Sequence, residues 1–156
     1  MITKSDFKKQ VTSTFVSNGF IRRDKVLSIK SDSVGILVEY QKFQYGERYF
    51  INLGFVIMEN SDIHKVMKNM KVSDCDMYFR LESLFGEHSE LIKSAGKLEH
   101  ADRPNILQTF LYVLSSQIIP ILQQWTSIEV LKDIYNRENW RNKGLVLKET
   151  HELFSK

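Results

Sequence analysis

The chain has 156 residues with one cysteine, and 42% of its residues are hydrophobic and 26% are charged. This composition is typical of one globular domain. It excludes a disordered chain and a miniprotein that needs disulfides or a metal to fold. The single thiol and the charged N-terminus, which carries no apolar leader, favour a reducing compartment, so we expect a cytoplasmic protein.

The net charge is only +3, but basic residues are concentrated near the N-terminus. Six of them lie in the first 25 residues, namely Lys4, Lys8, Lys9, Arg22, Arg23 and Lys25. A basic end of this kind attracts nucleic acid or an acidic partner. The six residues do not form a stripe interleaved with aromatic residues, as single-strand binders do. We therefore expect a solvated helix face and turn, and no nucleic-acid partner.

The first predicted element is a helix over residues 4–17. Phe7, Val11 and Phe15 recur every four residues and so share one helical face. Gly19 follows them at the place where the C-terminus of a helix commonly adopts a left-handed backbone, and it is expected to end the helix.

Four strands are predicted next, over residues 26–30, 34–44, 48–58 and 77–84. In the second and third of these, side chains alternate with the period of a half-buried strand. The connections between the first three strands are too short for a parallel crossover. These three strands therefore form an antiparallel meander, to which the fourth strand is added.

The second half of the chain is predicted to be helical. Residues 105–128 contain no charged side chain, and a stretch of that length is long enough to span a bilayer. Its glutamine, serine and asparagine residues would be costly in lipid, whereas a helix that is apolar on all sides is expected at the centre of a globular core. We predict a buried central helix that bends near Pro120, and no membrane association.

These elements define a single α+β domain over residues 1–156. Its antiparallel four-stranded sheet, a meander plus one strand, packs with an N-terminal helix and a C-terminal helical half. The predicted core residues come from all of these elements: Phe7, Val11, Phe15, Ile36, Val38, Ile51, Leu53, Phe79, Leu81, Phe110 and Leu114.

The sequence shows no constellation of catalytic or metal-binding residues. Its four histidines, which are not at metal-ligand spacing, are His64, His88, His100 and His151. Cys75 lies between Asp74 and Asp76, whose negative charges raise the pKa of a thiol, so it is a poor nucleophile. We predict no catalytic residue, no metal site and no cofactor. A carboxylate pair of the glycosidase type stays open, because it depends on a cleft that the sequence does not reveal.

A polar sheet face is the candidate binding surface. Strands hold neighbouring side chains in fixed relative positions, and arginine and tyrosine are enriched in binding hot spots. The candidate binding residues are Glu39, Gln41, Asn52, Tyr78, Arg80 and Glu82. Two alternatives stay open: a solvated face with an ion pair between Arg80 and a carboxylate, and a face covered by the C-terminal helices.

Three segments, in this order, resemble the bacterial domain-of-unknown-function family 4304. They are residues 18–23 (NGFIRR), residues 41–54, from Gln41-Lys42 through Tyr45-Gly46 to Ile51-Asn52-Leu53-Gly54, and residues 79–84 (FRLESL). The resemblance covers residues 4–85, while the helical second half is similar only in general character. It implies a small bacterial cytoplasmic protein and implies no activity.

Two functions of different classes remain open. The first is a non-catalytic protein-binding module, of which the immunity partner of a secreted toxin is one form. The second is a small-ligand-binding protein or an enzyme that uses a pocket between sheet and helices. A pI near 8.9 disfavours inhibition of a basic nuclease, because such inhibitors gain affinity from negative charge.

Overall fold

The computed structural model describes residues 4–57, 67–98 and 103–155. The strands are β1 (Ile21–Arg23), β2 (Val26–Lys30), β3 (Val34–Lys42), β4 (Tyr49–Ile57), β5 (Met77–Arg80) and β6 (Leu145–Val146). The α-helices are α1 (Lys4–Ser17), α2 (Leu81–Leu84), α3 (Ser89–Gly96), α4 (Arg103–Val113), α5 (Ile119–Gln124), α6 (Ile128–Arg137) and α7 (Lys148–Phe154). The predicted α+β class is confirmed.

Helix α1 has the predicted bounds and buries the predicted face. Phe7, Val11 and Phe15 are at most 1% exposed. Gly19 has a φ of +98°, and Gly19 N–H donates to the carbonyl of Val16 while Phe20 N–H donates to that of Phe15. A residue with a Cβ is strained at this φ, so glycine ends the helix and turns the chain into β1.

The described strands form one antiparallel sheet in chain order, from β1 to β6. The predicted meander is confirmed, but the prediction of four strands was wrong at both edges. Strand β1 has three residues, all exposed, and β6 has two. Strands this short show no alternating pattern. They join the sheet through backbone hydrogen bonds, which side-chain patterns do not reveal.

The fourth predicted strand, over residues 77–84, was too long. Strand β5 ends at Arg80, and Leu81–Leu84 form the short helix α2. Leu81 is fully buried in the same core as Met77 and Phe79. The alternation of apolar residues therefore continues past Arg80, and it cannot distinguish a strand from the helical turn that follows it.

Helices cover one face of the sheet. All eleven predicted core residues are at most 2% exposed. An aromatic group, which consists of Phe55, Phe79, Phe85, Trp125 and Trp140, fills the space between sheet and helices, with centroid distances of 4.9–6.3 Å between contacting rings. A densely packed interface of this kind is a core, so this part of it is not the pocket that the alternative function requires.

The long apolar stretch contains a π-helical segment, Leu114–Ile118, between α4 and α5. Ile119 N–H donates to the carbonyl of Leu114, five residues earlier. A proline ring crowds the carbonyl four residues before it, which is that of Ser116. Widening the turn before Pro120 relieves this clash, so the irregularity predicted near the proline occurs without a break in the helix.

By length and composition, Pro104–Gln124 would be long and apolar enough to cross a membrane. A single helix of this kind is weak evidence for a membrane span, because the core helices of soluble proteins have the same length and composition. One side of this stretch is buried on the sheet, and the other side exposes mainly polar residues: Asn105, Gln108, Thr109, Tyr112, Ser116, Gln117, Gln123 and Gln124. The helix is thus buried on one side and not on all sides, contrary to the prediction, and its polar side is typical of a core helix at a protein surface.

Within residues 4–57, 67–98 and 103–155, the opposite face of the sheet is covered only in part. The segment Met67–Asp76 lies on it and forms a second hydrophobic cluster of Leu37, Val56, Met67, Val72 and Cys75. Gly54 allows this close approach, because a Cβ at that position would lie 2.5 Å from Cys75 Sγ and 3.1 Å from the carbonyl oxygen of Val72.

Candidate functional site

Side chains of three adjacent strands form a polar row on the face opposite the helices. Antiparallel pairing places Glu39 of β3 opposite Asn52 of β4, and Asn52 opposite Arg80 of β5. Gln41 lies beside this row, and its Oε1 accepts a hydrogen bond of 2.9 Å from Asn52 Nδ2. The structure thus brings together four of the six predicted binding residues.

Two guanidinium groups lie over one aromatic ring at the end of this row. Arg80 Cζ is 3.4 Å from the ring centroid of Phe50, and Arg48 Cζ is 4.5 Å from it. A guanidinium group is planar and weakly hydrated, so its attraction to a ring face persists where water is partly excluded. We call Arg48, Phe50 and Arg80 the Arg–Phe cluster. It holds two positive charges in fixed positions at the surface of the sheet.

Three buried polar atoms at the Arg–Phe cluster and next to it have no hydrogen-bond partner. They are Arg48 Nε, Asn52 Oδ1 and Glu82 Oε1, and no other such atom is found in the part of the chain that the structure describes. Buried polar atoms are nearly always paired, since leaving one unpaired costs about 1–3 kcal/mol. Within the described residues, the unpaired buried polar atoms are therefore confined to this part of the sheet and the adjoining helix.

Glu82 does not lie beside Arg80 on a strand, as the sequence predicted. It belongs to α2 and is only 8% exposed. Burial raises the pKa of Glu82, and the positive charges of Arg80, Arg48 and Lys93 offset this rise only in part. Among the described residues Glu82 forms no ion pair. It is therefore a buried carboxyl group behind the Arg–Phe cluster and not a surface contact.

Two other predicted residues are partly covered by the segment Met67–Asp76 and not by the C-terminal helices. Glu39 accepts a hydrogen bond from the backbone N–H of Val72, which fixes its carboxylate. Tyr78 packs against the second hydrophobic cluster. Arg80 is half-buried and Gln41 is exposed, so the accessible part of the polar row is the part next to the Arg–Phe cluster.

Exposed aromatic rings border the Arg–Phe cluster at the turn between β3 and β4. The ring of Phe43 is edge-on to those of Tyr45 and Phe50, at centroid distances of 5.9 Å and 6.2 Å. Tyr45 is 82% exposed and Phe43 is 37% exposed. We call these two residues the aromatic rim. Together with the cluster they form a continuous surface of arginine and aromatic side chains.

Arg48 and Phe50 were not among the predicted site residues, although the sequence carries a signal for them. Arg48, Phe50 and Asn52 alternate along one strand, so a binding residue assigned at Asn52 places the other two on the same face. The contact between these residues and Arg80 depends on the pairing of β4 with β5, whose connection includes residues 58–76. No local pattern fixes a register across so long a connection.

Cys75 is buried, and the pKa of its thiol is raised to about 12. Burial is the largest cause, and the charges of Asp76, Asp74 and Glu39 add to it. The direction predicted from the flanking carboxylates is confirmed, although burial is the larger effect. Within residues 4–57, 67–98 and 103–155, no group of three or more potential ligands is placed to hold a metal ion. His64 and His100 lie outside the described residues.

A cavity of about 660 Å³ lies on the same sheet face as the polar row, between strands β1–β2 and the start of the segment Met67–Asp76. Its floor contains Val26, Leu37, Met67 and Met70. The cavity does not lie between sheet and helices, where the alternative function places its pocket. It lies on the opposite face of the sheet, next to the segment Met67–Asp76.

Comparison with known proteins relates this chain to one protein family. The model of a family described as a domain of unknown function, DUF4304, matches residues 11–124 of the chain. The chain belongs to this family. Searches among curated proteins and among solved structures gave no significant match. The match to DUF4304 extends into α5 and so includes helices that the sequence resemblance, over residues 4–85, did not cover.

Proposed function

We propose that this DUF4304 protein is a non-catalytic protein-binding module whose docking site is the Arg–Phe cluster with its aromatic rim. Its partner presents a carboxylate group, from an aspartate or glutamate side chain. One observation carries the proposal: Arg48 and Arg80 both lie over Phe50 on a rigid sheet, and no carboxylate of the described residues is paired with either.

The chemistry of the cluster favours an anionic partner group. A guanidinium group that lies over a ring uses its face for that contact, while its N–H donors, which point outward in its own plane, match a carboxylate bidentately. Neither Arg48 nor Arg80 forms an ion pair with another described residue. The one carboxyl group nearby, that of Glu82, has a raised pKa and so is a weaker counter-charge than an ordinary glutamate.

The aromatic rim favours a protein over a free anion. Tyr45 and Phe43 offer exposed apolar area next to the two arginines, and binding hot spots are enriched in tyrosine and arginine near the centre of an interface. A partner segment with an acidic residue flanked by apolar residues would contact both parts of this surface. Immunity to an acidic secreted toxin is one form of such binding, and a bacterial cytoplasmic origin belongs to the same proposal.

A photo-cross-linking experiment tests the docking site. A benzophenone amino acid is placed at Tyr45 in one variant and at Tyr112 in the control. Tyr112 is also an exposed tyrosine, at 70%, but it lies on the helical layer. We expect a cross-linked product from the Tyr45 variant in extracts of the source cells and none from the Tyr112 variant. Its loss is expected when Arg48→Glu and Arg80→Glu are added.

Direct binding then decides the chemistry. The captured protein is purified, and its affinity is measured for the wild type, for Arg80→Glu and for the matched control Arg137→Glu, an exposed arginine on α6. We expect Arg80→Glu to weaken binding by at least about tenfold, since it puts like charges together, and Arg137→Glu to change it less than about twofold. Equal effects of the two variants, or equal cross-linking at Tyr45 and Tyr112, would contradict the proposal.

A further inference from the structure

The cavity beside β2 has an apolar floor and a basic rim. Its floor combines half-buried Val26 and Met70 with buried Leu37 and Met67. Methionine side chains are flexible and polarisable, so they adapt to ligands of different shape. A volume of about 660 Å³ is within the usual range of small-molecule sites, about 300–1,000 Å³.

Positive charge dominates the cavity wall. Five basic side chains line the cavity, namely Arg23, Lys25, Lys30, Lys68 and Lys71. The carboxylates among the lining residues are those of Asp24 and Glu39, and Glu39 already accepts a hydrogen bond from Val72 N–H. None of the five basic residues forms an ion pair with another described residue. A concave wall lined by one sign of charge raises the local concentration of oppositely charged ligands.

We infer that this cavity binds a small organic anion with an aliphatic body and a phosphate or carboxylate group. The body rests on the apolar floor, and the anionic group contacts the lysine and arginine residues of the rim. No aromatic residue occurs among the described residues of the wall, so it offers no platform on which a nucleic-acid base or an aromatic ligand would stack. The site is separate from the Arg–Phe cluster, and its occupation does not depend on the proposed protein binding.

Calorimetric titration with octyl phosphate, below its micelle concentration, tests the inference. Octanoate is the second arm and distinguishes carboxylate from phosphate recognition. Two controls separate the parts of the ligand: octanol has the aliphatic body without the charge, and inorganic phosphate has the charge without the body. We expect octyl phosphate or octanoate to bind at least about tenfold more tightly than either octanol or inorganic phosphate, because the floor and the rim act together.

Three variants locate the binding. Lys25→Glu combined with Lys68→Glu reverses two charges of the rim, and Lys9→Glu combined with Lys148→Glu makes the same charge change at exposed lysines outside the cavity. Ser28→Trp fills the cavity without a change of charge. We expect the first and third variants to weaken binding by at least about tenfold and the control pair to change it less than about twofold.

Equal weakening by the two double variants would show a general charge effect and overturn the inference, as would unchanged binding in Ser28→Trp. Anion binding is measured by calorimetry on the purified protein alone, without a protein partner. Failure of this inference is therefore distinguishable from failure of the proposed function, which is read from cross-linking at Tyr45.

Discussion

The two faces of the sheet are built from the same strands but differ in how they are closed. On the helical side, alternate residues of β3, β4 and β5 pack into a continuous core. In this core Phe55 contacts both Trp125 and Trp140, and Phe79 contacts Trp140. On the other side, the segment Met67–Asp76 covers only some of the rows. The Arg–Phe cluster and the basic cavity lie in the part that it leaves open.

This difference separates the face that supplies most of the folding free energy from the face on which we propose binding. The helical side buries nearly all its apolar residues, and burial of apolar area is the main source of folding free energy. The open side retains the unpaired buried atoms Arg48 Nε and Asn52 Oδ1 and the raised pKa of Glu82. Features that cost stability persist where they serve another purpose, which is why the open side is the place to look for binding.

Removing a ring from the closed side gives the largest expected effect. Trp140 is 1% exposed and contacts four other rings. Trp140→Ala should lower the free energy of unfolding by about 3–5 kcal/mol through lost burial and a cavity. Tyr45→Ala on the open side should change it by less than about 0.5 kcal/mol. Urea unfolding of both variants measures the contrast, and similar losses would erase the distinction between the two faces.

The covering segment can be displaced from the sheet by one methyl group. Gly54→Ala would place a Cβ 2.5 Å from Cys75 Sγ, so Val72 and Cys75 must move away. We expect a loss of about 1–3 kcal/mol and faster reaction of Cys75 with a thiol reagent. Gly86→Ala is the control, since no atom lies within 4 Å of its added Cβ. An unchanged thiol rate in Gly54→Ala would mean that the segment tolerates the methyl group in place.

Truncation of Arg80 should have an intermediate effect. Arg80→Ala removes the contact with Phe50 and one of the cations that offset the raised pKa of Glu82. We expect a loss of about 1–2 kcal/mol, between the values for a surface residue and for a buried ion pair. Arg137→Ala, which removes only an exposed pair with Asp133, should cost less than about 0.5 kcal/mol. Equal losses of stability in the two variants, measured by thermal unfolding, would mean that Arg80 has no structural role.

The pH dependence of stability gives the smallest and most specific effect. Burial raises the folded-state pKa of Glu82 above its ordinary value of 4.5. The folded chain then binds this proton more tightly than the unfolded chain. The stabilisation is therefore fully present below pH 4.5 and is lost as pH rises through the folded-state pKa.

Glu82→Gln keeps the shape of the side chain and removes this titration. Its stability relative to the wild type should improve as pH rises above 4.5 and through the folded-state pKa of Glu82. Burial also raises the pKa of Asp76. Because Asp76 is present in both proteins, its titration cancels in the difference between their stabilities. A difference that does not vary with pH would mean that Glu82 is not titrated in this range.

The fold was predictable to the extent that one face of each element is buried. The period of the apolar residues located α1, β3 and β4, and all the predicted core residues are buried. It failed where side chains carry no pattern, at β1 and β6, and where two conformations bury the same residue, at Leu81. Backbone pairing at an edge depends on the rest of the sheet being present.

The candidate site was likewise predictable from the sequence only in part. The sequence by itself determined that Glu39, Gln41, Asn52 and Arg80 share a polar face, because strand alternation is a local property. Only the tertiary structure decided that Glu82 turns inward and that Arg48 and Arg80 meet over Phe50. It also decided that the segment Met67–Asp76 encloses a basic cavity. These contacts join residues far apart in the chain, and their geometry is set by packing of the whole domain, which no short window of sequence contains.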